Sequence, residues 1–268
     1  MDNRPIGIFD SGMGGLTAMK ALRQLLPEEN ILFFGDTGRL PYGVKTLQQL
    51  RKMAVQDLDY VAGRGVKVIL AACGTLSSNT PELLENYPVP TFGVLRSGVE
   101  AMGRVPGSAP LAVIATEASI RSGAFAKALR QRCPGREVLA VPCPDFVPLI
   151  EGGHSAADDP LIQDAVARYL RPVREAGAAA LLLGCTHYGI IGDAIRAYLG
   201  PETQLISASE CAAIALRDYL VEQGLTGGTG EERFAVSGSG AAFDRKAALF
   251  LGRPLGAKAE EIPAMEIE

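Results

Sequence analysis

The chain has 268 residues, room for two modest α/β units or one large one. Hydrophobic residues make up 47% and charged residues 21%, enough apolar surface to offset the cost of ordering a core, which excludes disorder as the main state. The formal net charge is −4, with Lys and Arg spread among acids and no block of like charge, so nucleic acid is not an expected partner.

The first apolar run, Ile6-Gly7-Ile8-Phe9, reads as a strand followed by Asp10-Ser11-Gly12 and a helix over Leu16 to Leu26 that Pro27 stops. No basic stretch with an apolar core precedes it, and no apolar run reaches the roughly 18 residues that span a bilayer. A cytoplasmic protein without a membrane partner is the expectation. Ile31 to Phe34 is the second strand, then Gly35-Asp36-Thr37 and a helix from about Thr46 to Arg64. Lys67 to Ala71, ending at Cys73, and Val89 to Val94 are the third and fourth strands. Strands alternating with helices predict parallel sheets flanked by helices.

The pattern then restarts. Leu111 to Ile114 precedes Thr116, Glu137 to Val141 precedes Cys143, Ala179 to Leu183 ends at Cys185, and Thr203 to Ile206 precedes Ser207. Ile6 to Leu111, Ile31 to Glu137, Cys73 to Cys185 and Val89 to Thr203 repeat at offsets of about 105, 106, 112 and 114 residues. This spacing predicts an internal duplication: two similar doubly wound α/β lobes with the site in the cleft between them, joined by a linker over 104–110. The last stretch fits no third repeat. A strand at Phe234 to Val236 and a helix at Asp244 to Leu251 read as an added unit packed on one lobe. The expected division is 1–97 plus 209–268 for the first lobe and 98–208 for the second.

Open parallel sheets bind ligands at the carboxyl ends of their strands. Those ends carry Asp10, Ser11, Asp36, Cys73, Gly74 and Thr75 in the first half, and Thr116, Cys143, Cys185, Thr186 and His187 in the second. Any one free cysteine is ordinarily a small buried hydrophobe. By that rule Cys211, in an apolar helical run, Cys133, before a Pro-Gly turn, and Cys143, between prolines, read as packing. Cys73 and Cys185 differ, since each ends an equivalent strand of the duplication and is followed within two residues by Thr. Thiols on opposite walls of one cleft suit inversion of a carbon centre, which needs a base on one face and an acid on the other. No C-x-x-C and only two histidines are present, so no metal is expected. Gly12-Met13-Gly14-Gly15-Leu16-Thr17 invites a nucleotide reading, but Thr17 stands where the third glycine belongs. Asp10 alone would read as a helix cap, His187 as a structural hydrogen-bonder and Glu151 as a loop acid.

Six segments together resemble the aspartate/glutamate racemase family, and glutamate racemase within it. They are Ile8-Phe9-Asp10-Ser11-Gly12-Met13-Gly14-Gly15-Leu16, Gly35-Asp36-Thr37-Gly38-Arg39-Leu40-Pro41-Tyr42-Gly43, Ala72-Cys73-Gly74-Thr75, Ser119-Ile120-Arg121-Ser122-Gly123-Ala124-Phe125, Phe146-Val147-Pro148-Leu149-Ile150-Glu151 and Leu183-Gly184-Cys185-Thr186-His187-Tyr188. The ending, Arg233 to Gly238 and Phe250-Leu251-Gly252, is also similar. The resemblance implies cofactor-independent interconversion of L- and D-glutamate for peptidoglycan. It implies Cys73 and Cys185 as acid/base thiols, with Asp10, His187, Asp36 and Glu151 assisting. Ser11, Pro41, Tyr42, Gly43, Gly74, Thr75, Thr116 and Thr186, with Asp10 and His187, are the implied substrate contacts. Glutamate is the implied partner, no cofactor is implied, and a homodimer is open.

The sequence departs from the family pattern at Gly74, where Asn is usual, and at Gly189, where Pro is usual. Gly74 deletes a side-chain amide and raises the alternative of a site opened to aspartate or another amino acid. A catalytically idle amino-acid-binding paralogue is the other alternative. Pro81 predicts that the regular helix after Cys73 starts near Thr80-Pro81, with Thr80 as cap and residues 74–79 irregular.

Overall fold

Every apolar run expected as a strand becomes one. In the structure, a computed structural model that describes residues 1–263 and 265, the first half contains β1 (Ile6–Asp10), α1 (Leu16–Leu25), β2 (Ile31–Gly35), α2 (Leu47–Ala62), β3 (Val68–Ala71), α3 (Gly74–Asn79), α4 (Pro81–Glu85), β4 (Thr91–Gly93) and α5 (Val94–Met102). The second half contains β5 (Leu111–Ala115), α6 (Glu117–Arg121), α7 (Ala124–Arg132), β6 (Val138–Pro142), α8 (Phe146–Glu151), α9 (Pro160–Glu175), β7 (Ala180–Leu183), α10 (Gly192–Leu199), β8 (Gln204–Ser207) and α11 (Ala208–Glu222). The chain ends in β9 (Glu232–Val236), α12 (Gly240–Leu251) and the short β10 (Glu260–Glu261).

These strands form two parallel sheets, ordered β10-β9-β2-β1-β3-β4 and β6-β5-β7-β8. Without the C-terminal strands the two orders are the same: second, first, third, fourth. Register repeats as well, with Ile6 opposite Ile31 and Val68, and Leu111 opposite Val138 and Ala180. Strands β1, β3, β5 and β7 are buried throughout, as parallel strands covered by helices on both faces must be. Strand order reverses between β1 and β3, and between β5 and β7. Crevices therefore open outside the carboxyl ends of those pairs, where Asp10, Cys73, Thr116 and Cys185 stand.

Local chemistry explains the helices that frame the crevices. Thr46 and Gln49 close a capping box at the start of α2, whose inner face buries Leu50, Met53, Ala54, Leu58 and Val61. Asp57 lies on that same buried face. The C-terminal unit joins the first sheet: β9 runs parallel to β2, and α12, capped by Ser239, stacks Phe243 on Phe33 at 5.8 Å. Helix α5 runs across positions 97 and 98 and packs near α7 and α11. No helix among the described residues is long and apolar enough to cross a membrane.

The segment after Cys73 differs from expectation. Residues 74–79 are not irregular; they form α3, with Cys73 at its N-cap position. Pro81 does open a second helix, α4, but Thr80 does not cap it with its side chain. The Thr80 hydroxyl instead donates back to the Leu76 carbonyl at 2.8 Å. Thr80, at φ −137° and ψ 42°, leaves the helical region, which a following proline disfavours for the residue before it. The proline breaks the helix where it stands and leaves the turn at Cys73 regular.

Candidate active site

One cavity of about 270 Å³ opens at the carboxyl ends of both sheets. The first sheet supplies residues 10–12 after β1, residues 40–44 after β2 and residues 73–75 after β3. The second supplies Thr116 and Glu117 after β5, Cys143 and Pro144 after β6, and residues 185–187 after β7. Val147, Pro148 and Glu151 line it from α8. Every expected site residue except Asp36 is part of this lining.

Cys73 is 3% exposed, and its Sγ donates to Ser11 Oγ at 3.5 Å. Burial pushes its thiol up to about 12. The neighbouring Asp10 charge adds to that, and the Ser11 hydroxyl and the Leu76 and Ser11 N–H groups only partly oppose it. Asp10 is itself buried. Its Oδ2 accepts from the Gly12 N–H at 3.1 Å, while Oδ1 has no hydrogen-bond partner among the described residues. Desolvation holds its carboxyl above the usual range despite the pull of His187. Around Cys73, then, burial disfavours the charged form of both groups.

The other wall is built differently. Cys185 is partly exposed, with Sγ 3.9 Å from His187 Nδ1, and His187 Nε2 lies 3.0 Å from Glu151 Oε1. Burial alone would lower the imidazole, but the Cys185 and Glu151 partners outweigh it and raise His187 to about 10. The same bond pulls the Glu151 carboxyl below its ordinary value. The edge of the His187 ring meets Phe250 of α12 at 5.2 Å. Near neutral pH a protonated imidazolium therefore stands between a carboxylate and a sulfur.

Hydroxyls and backbone groups complete the cleft. Thr75 Oγ1 and Thr116 Oγ1 meet at 3.0 Å, and Thr116 caps α6 by accepting from the Ser119 N–H at 3.3 Å. Thr17 Oγ1 donates across the cleft to the Thr186 carbonyl at 3.0 Å. Gly14, part of the glycine-rich turn, is glycine for steric reasons: the Thr186 and His187 side chains fill the space a Cβ would need. A Cβ there would sit 2.1 Å from Thr186 Oγ1 and 2.5 Å from His187 Nδ1. Among the described lining residues, His187 is the one side chain that carries positive charge. A bound carboxylate would therefore be held by hydroxyls and N–H groups at strand ends and helix starts.

Asp36 stays outside the lining. It is fully buried beneath the 40–44 segment, accepting from Arg39 Nε at 2.6 Å and from Ser237 Oγ at 2.6 Å. The Tyr42 hydroxyl lies between Asp36 Oδ2 and Asp57 Oδ2, the latter at 3.0 Å, and Arg39 Nη2 donates to Asp57 Oδ1 at 2.6 Å. Asp36 therefore reaches the cavity only through Tyr42. Arg39 and Asp57 were missed from sequence. The signal for Asp57 was present, a lone acid on the apolar stripe of α2. Glu117, Cys143, Val147 and Pro148 were also missed as lining. Cys143 is buried as expected for packing, and its carbonyl accepts from the Tyr188 hydroxyl at 2.9 Å. Cys133 is buried at the end of α7 and Cys211 half-buried on α11, both away from the cavity.

The family model for Asp/Glu/Hydantoin racemases matches residues 17–216. The chain is 36% identical over 258 residues to the glutamate racemase of Desulforudis audaxviator, covering 92% of this chain and 94% of that one. Among solved structures it superposes on the glutamate racemase of Francisella tularensis, crystallised with D-glutamate, with a TM-score of 0.90. That match has 33% identity and covers 98% of this chain and 99% of the other. The Thermus thermophilus glutamate racemase, crystallised with β-chloro-D-alanine, gives a TM-score of 0.86 at 37% identity, covering 98% of each chain. The duplicated two-lobe fold and these likenesses agree: the chain belongs to the Asp/Glu/Hydantoin racemase family and is an amino-acid racemase.

Proposed function

We propose that this racemase interconverts L- and D-glutamate by acid–base exchange between Cys73 and Cys185, supplying D-glutamate for peptidoglycan in the cytoplasm. One observation carries the mechanism: the two cysteines follow equivalent strands, β3 and β7, of sheets with the same order, and both line one cavity. Glutamate as the substrate is supported by the names of the full-length relatives and by the D-glutamate bound in the Francisella protein.

In the step itself, one sulfur takes the α-proton, so that an S–H bond forms as the Cα–H bond breaks and the electron pair stays on the substrate. The opposite thiol then gives its proton to the other face of the same carbon. Each turnover leaves one sulfur with a proton gained and the other with one lost, which is the starting state for the reverse reaction. Developing charge at the α-carbon and its carboxylate is met by fixed donors: the hydroxyls of Ser11, Thr75, Thr116 and Thr186 and the N–H groups of their turns. His187, held by Glu151, faces the Cys185 sulfur, and Asp10 stands beside Cys73.

The test is L-glutamate in deuterated water with wild type, Cys73→Ser and Cys185→Ser. Wild type incorporates deuterium at the α-carbon with inversion, and each variant loses racemisation by about 10³-fold or more. Retained racemisation in either variant overturns the mechanism; with L-aspartate run beside L-glutamate, exchange of aspartate alone overturns the substrate.

A further inference from the structure

The two thiol-bearing turns touch each other directly at Gly74. A Cβ built on Gly74 would lie 2.1 Å from the carbonyl oxygen of Gly184, 3.3 Å from its carbon and 3.7 Å from the Cα of Cys185. All three atoms are backbone, and all belong to the turn that carries Cys185. A flexible side chain could swing aside; a carbonyl at the end of β7 cannot move alone. Since Cβ atoms essentially never come within 3.0 Å of another heavy atom, a side chain at position 74 requires the turns to part by about 1 Å.

We propose that Gly74 is a positioning residue whose bare Cα sets the separation of the Cys73 and Cys185 turns. The inference rests on the two-thiol reading above. The room left by the missing side chain is not added to the cleft, because the Gly184 carbonyl occupies it. Gly74 therefore tightens the site of this chain rather than opening it to other substrates, and the Asn usual in the family at this place would need these two turns to stand farther apart than they do here. Contacts on either side hold each turn where it stands: Thr75 with Thr116 at 3.0 Å anchors the Cys73 turn, while Thr17 to the Thr186 carbonyl at 3.0 Å and Gly14 against Thr186 and His187 anchor the Cys185 turn. A methyl group at 74 has no local relief without loosening these. Two sulfurs that must address opposite faces of one carbon are sensitive to such a change, and a misplacement of about 1 Å costs on the order of 10²-fold in rate.

The test compares wild type, Gly74→Ala, Thr17→Ala and the double variant Gly74→Ala/Thr17→Ala, with Cys73→Ser and Cys185→Ser run beside them. Folding is followed by circular dichroism, and racemisation of L- and D-glutamate with α-protiated and α-deuterated substrate. Gly74→Ala is expected to lower kcat about 10²-fold in both directions and to raise the isotope effect, because proton transfer becomes the slow step. Where the single variant does not fold, the double variant carries the test. Removing the Thr17 bond lets the turns separate enough to admit the methyl, and its kcat falls below that of Thr17→Ala by the same factor. A folded Gly74→Ala protein with wild-type kcat and isotope effect, or a double variant indistinguishable from Thr17→Ala, overturns the role of Gly74. Retained racemisation in either Ser variant overturns instead the two-thiol reading beneath it.

Discussion

Cys73 and Cys185 are the same residue at equivalent places in a duplicated fold, yet their neighbours differ. Cys73 is buried beside Asp10, which raises its thiol to about 12; Cys185 faces an imidazolium. Iodoacetamide at pH 8 should therefore modify Cys73 in the substrate-free protein about 10²- to 10³-fold more slowly than a free cysteine, since only the thiolate reacts. Mass spectrometry of tryptic peptides reads this directly, and alkylation of Cys73 at the free-thiol rate would refute it. His187 gives a second residue-scale expectation. Its folded pKa of about 10 lies above the unfolded value near 6.5, so its contribution to stability is fully present below about pH 6.5. That contribution is lost as pH rises through about 10. Urea denaturation between pH 6.5 and 10 should show wild type losing on the order of a few kcal/mol that His187→Asn does not lose. Parallel profiles for the two proteins would mean that His187 is uncharged at neutral pH.

At the scale of elements, helix α2 and the segment after β2 are joined by a buried group in which the Arg39 guanidinium donates to the carboxylates of Asp36 and Asp57 and the Tyr42 hydroxyl lies between them. Tyr42 has a single proton and faces both Asp36 and Asp57. Burial and the charge of Asp36 keep the Asp57 carboxyl well above its usual range, which favours its protonated form. Asp57→Asn preserves this pattern, its Oδ1 accepting from Arg39 and its Nδ2 donating to Tyr42, and should change stability by no more than about 1 kcal/mol near pH 5. Asp57→Ala leaves a void and deprives Arg39 Nη2 of its carboxylate partner, at a cost of about 3 kcal/mol or more. A raised acid contributes stability below its unfolded value near 4 and loses it as pH rises through its folded value. Asp57→Asn should therefore gain on wild type as pH increases. Equal damage from Asn and Ala would show that Asp57 is ionised. The strands, the duplication and the strand-end residues were legible in the sequence because parallel strands repeat apolar runs at a fixed spacing. Asp36 was misplaced because strand-end position alone cannot distinguish a residue facing the cleft from one turned beneath it. The start of α3 was misplaced because the demand of Pro81 reaches back only as far as Thr80.

Over the whole molecule, the site depends on the apposition of the two sheets, and α12 bridges them. It follows β9 into the first sheet, with Phe243 stacked on Phe33, yet its far end meets the second half. Phe250 packs edge-on against His187, and Lys246 Nζ donates to the Glu151 carbonyl at 3.1 Å. The imidazolium–carboxylate pair that faces Cys185 is thus steadied by a helix encoded more than 50 residues later, outside either repeat. Phe250 is 2% exposed, so Phe250→Ala should cost about 3 kcal/mol or more in urea denaturation. It should also free the His187 ring to leave the line between Glu151 and Cys185. In protein that remains folded at low temperature, kcat should fall about tenfold, roughly 1.4 kcal/mol of transition-state stabilisation. Phe250→Leu, which keeps apolar contact on the ring, should recover most of both losses. The chain has only two histidines, so the NMR titration of His187 can be separated from that of His154 with a His154→Gln background. A lower His187 midpoint in Phe250→Ala accompanies the fall in kcat if α12 orients the pair. Loss of stability with an unchanged titration and unchanged kcat would reduce α12 to a cover for the first sheet.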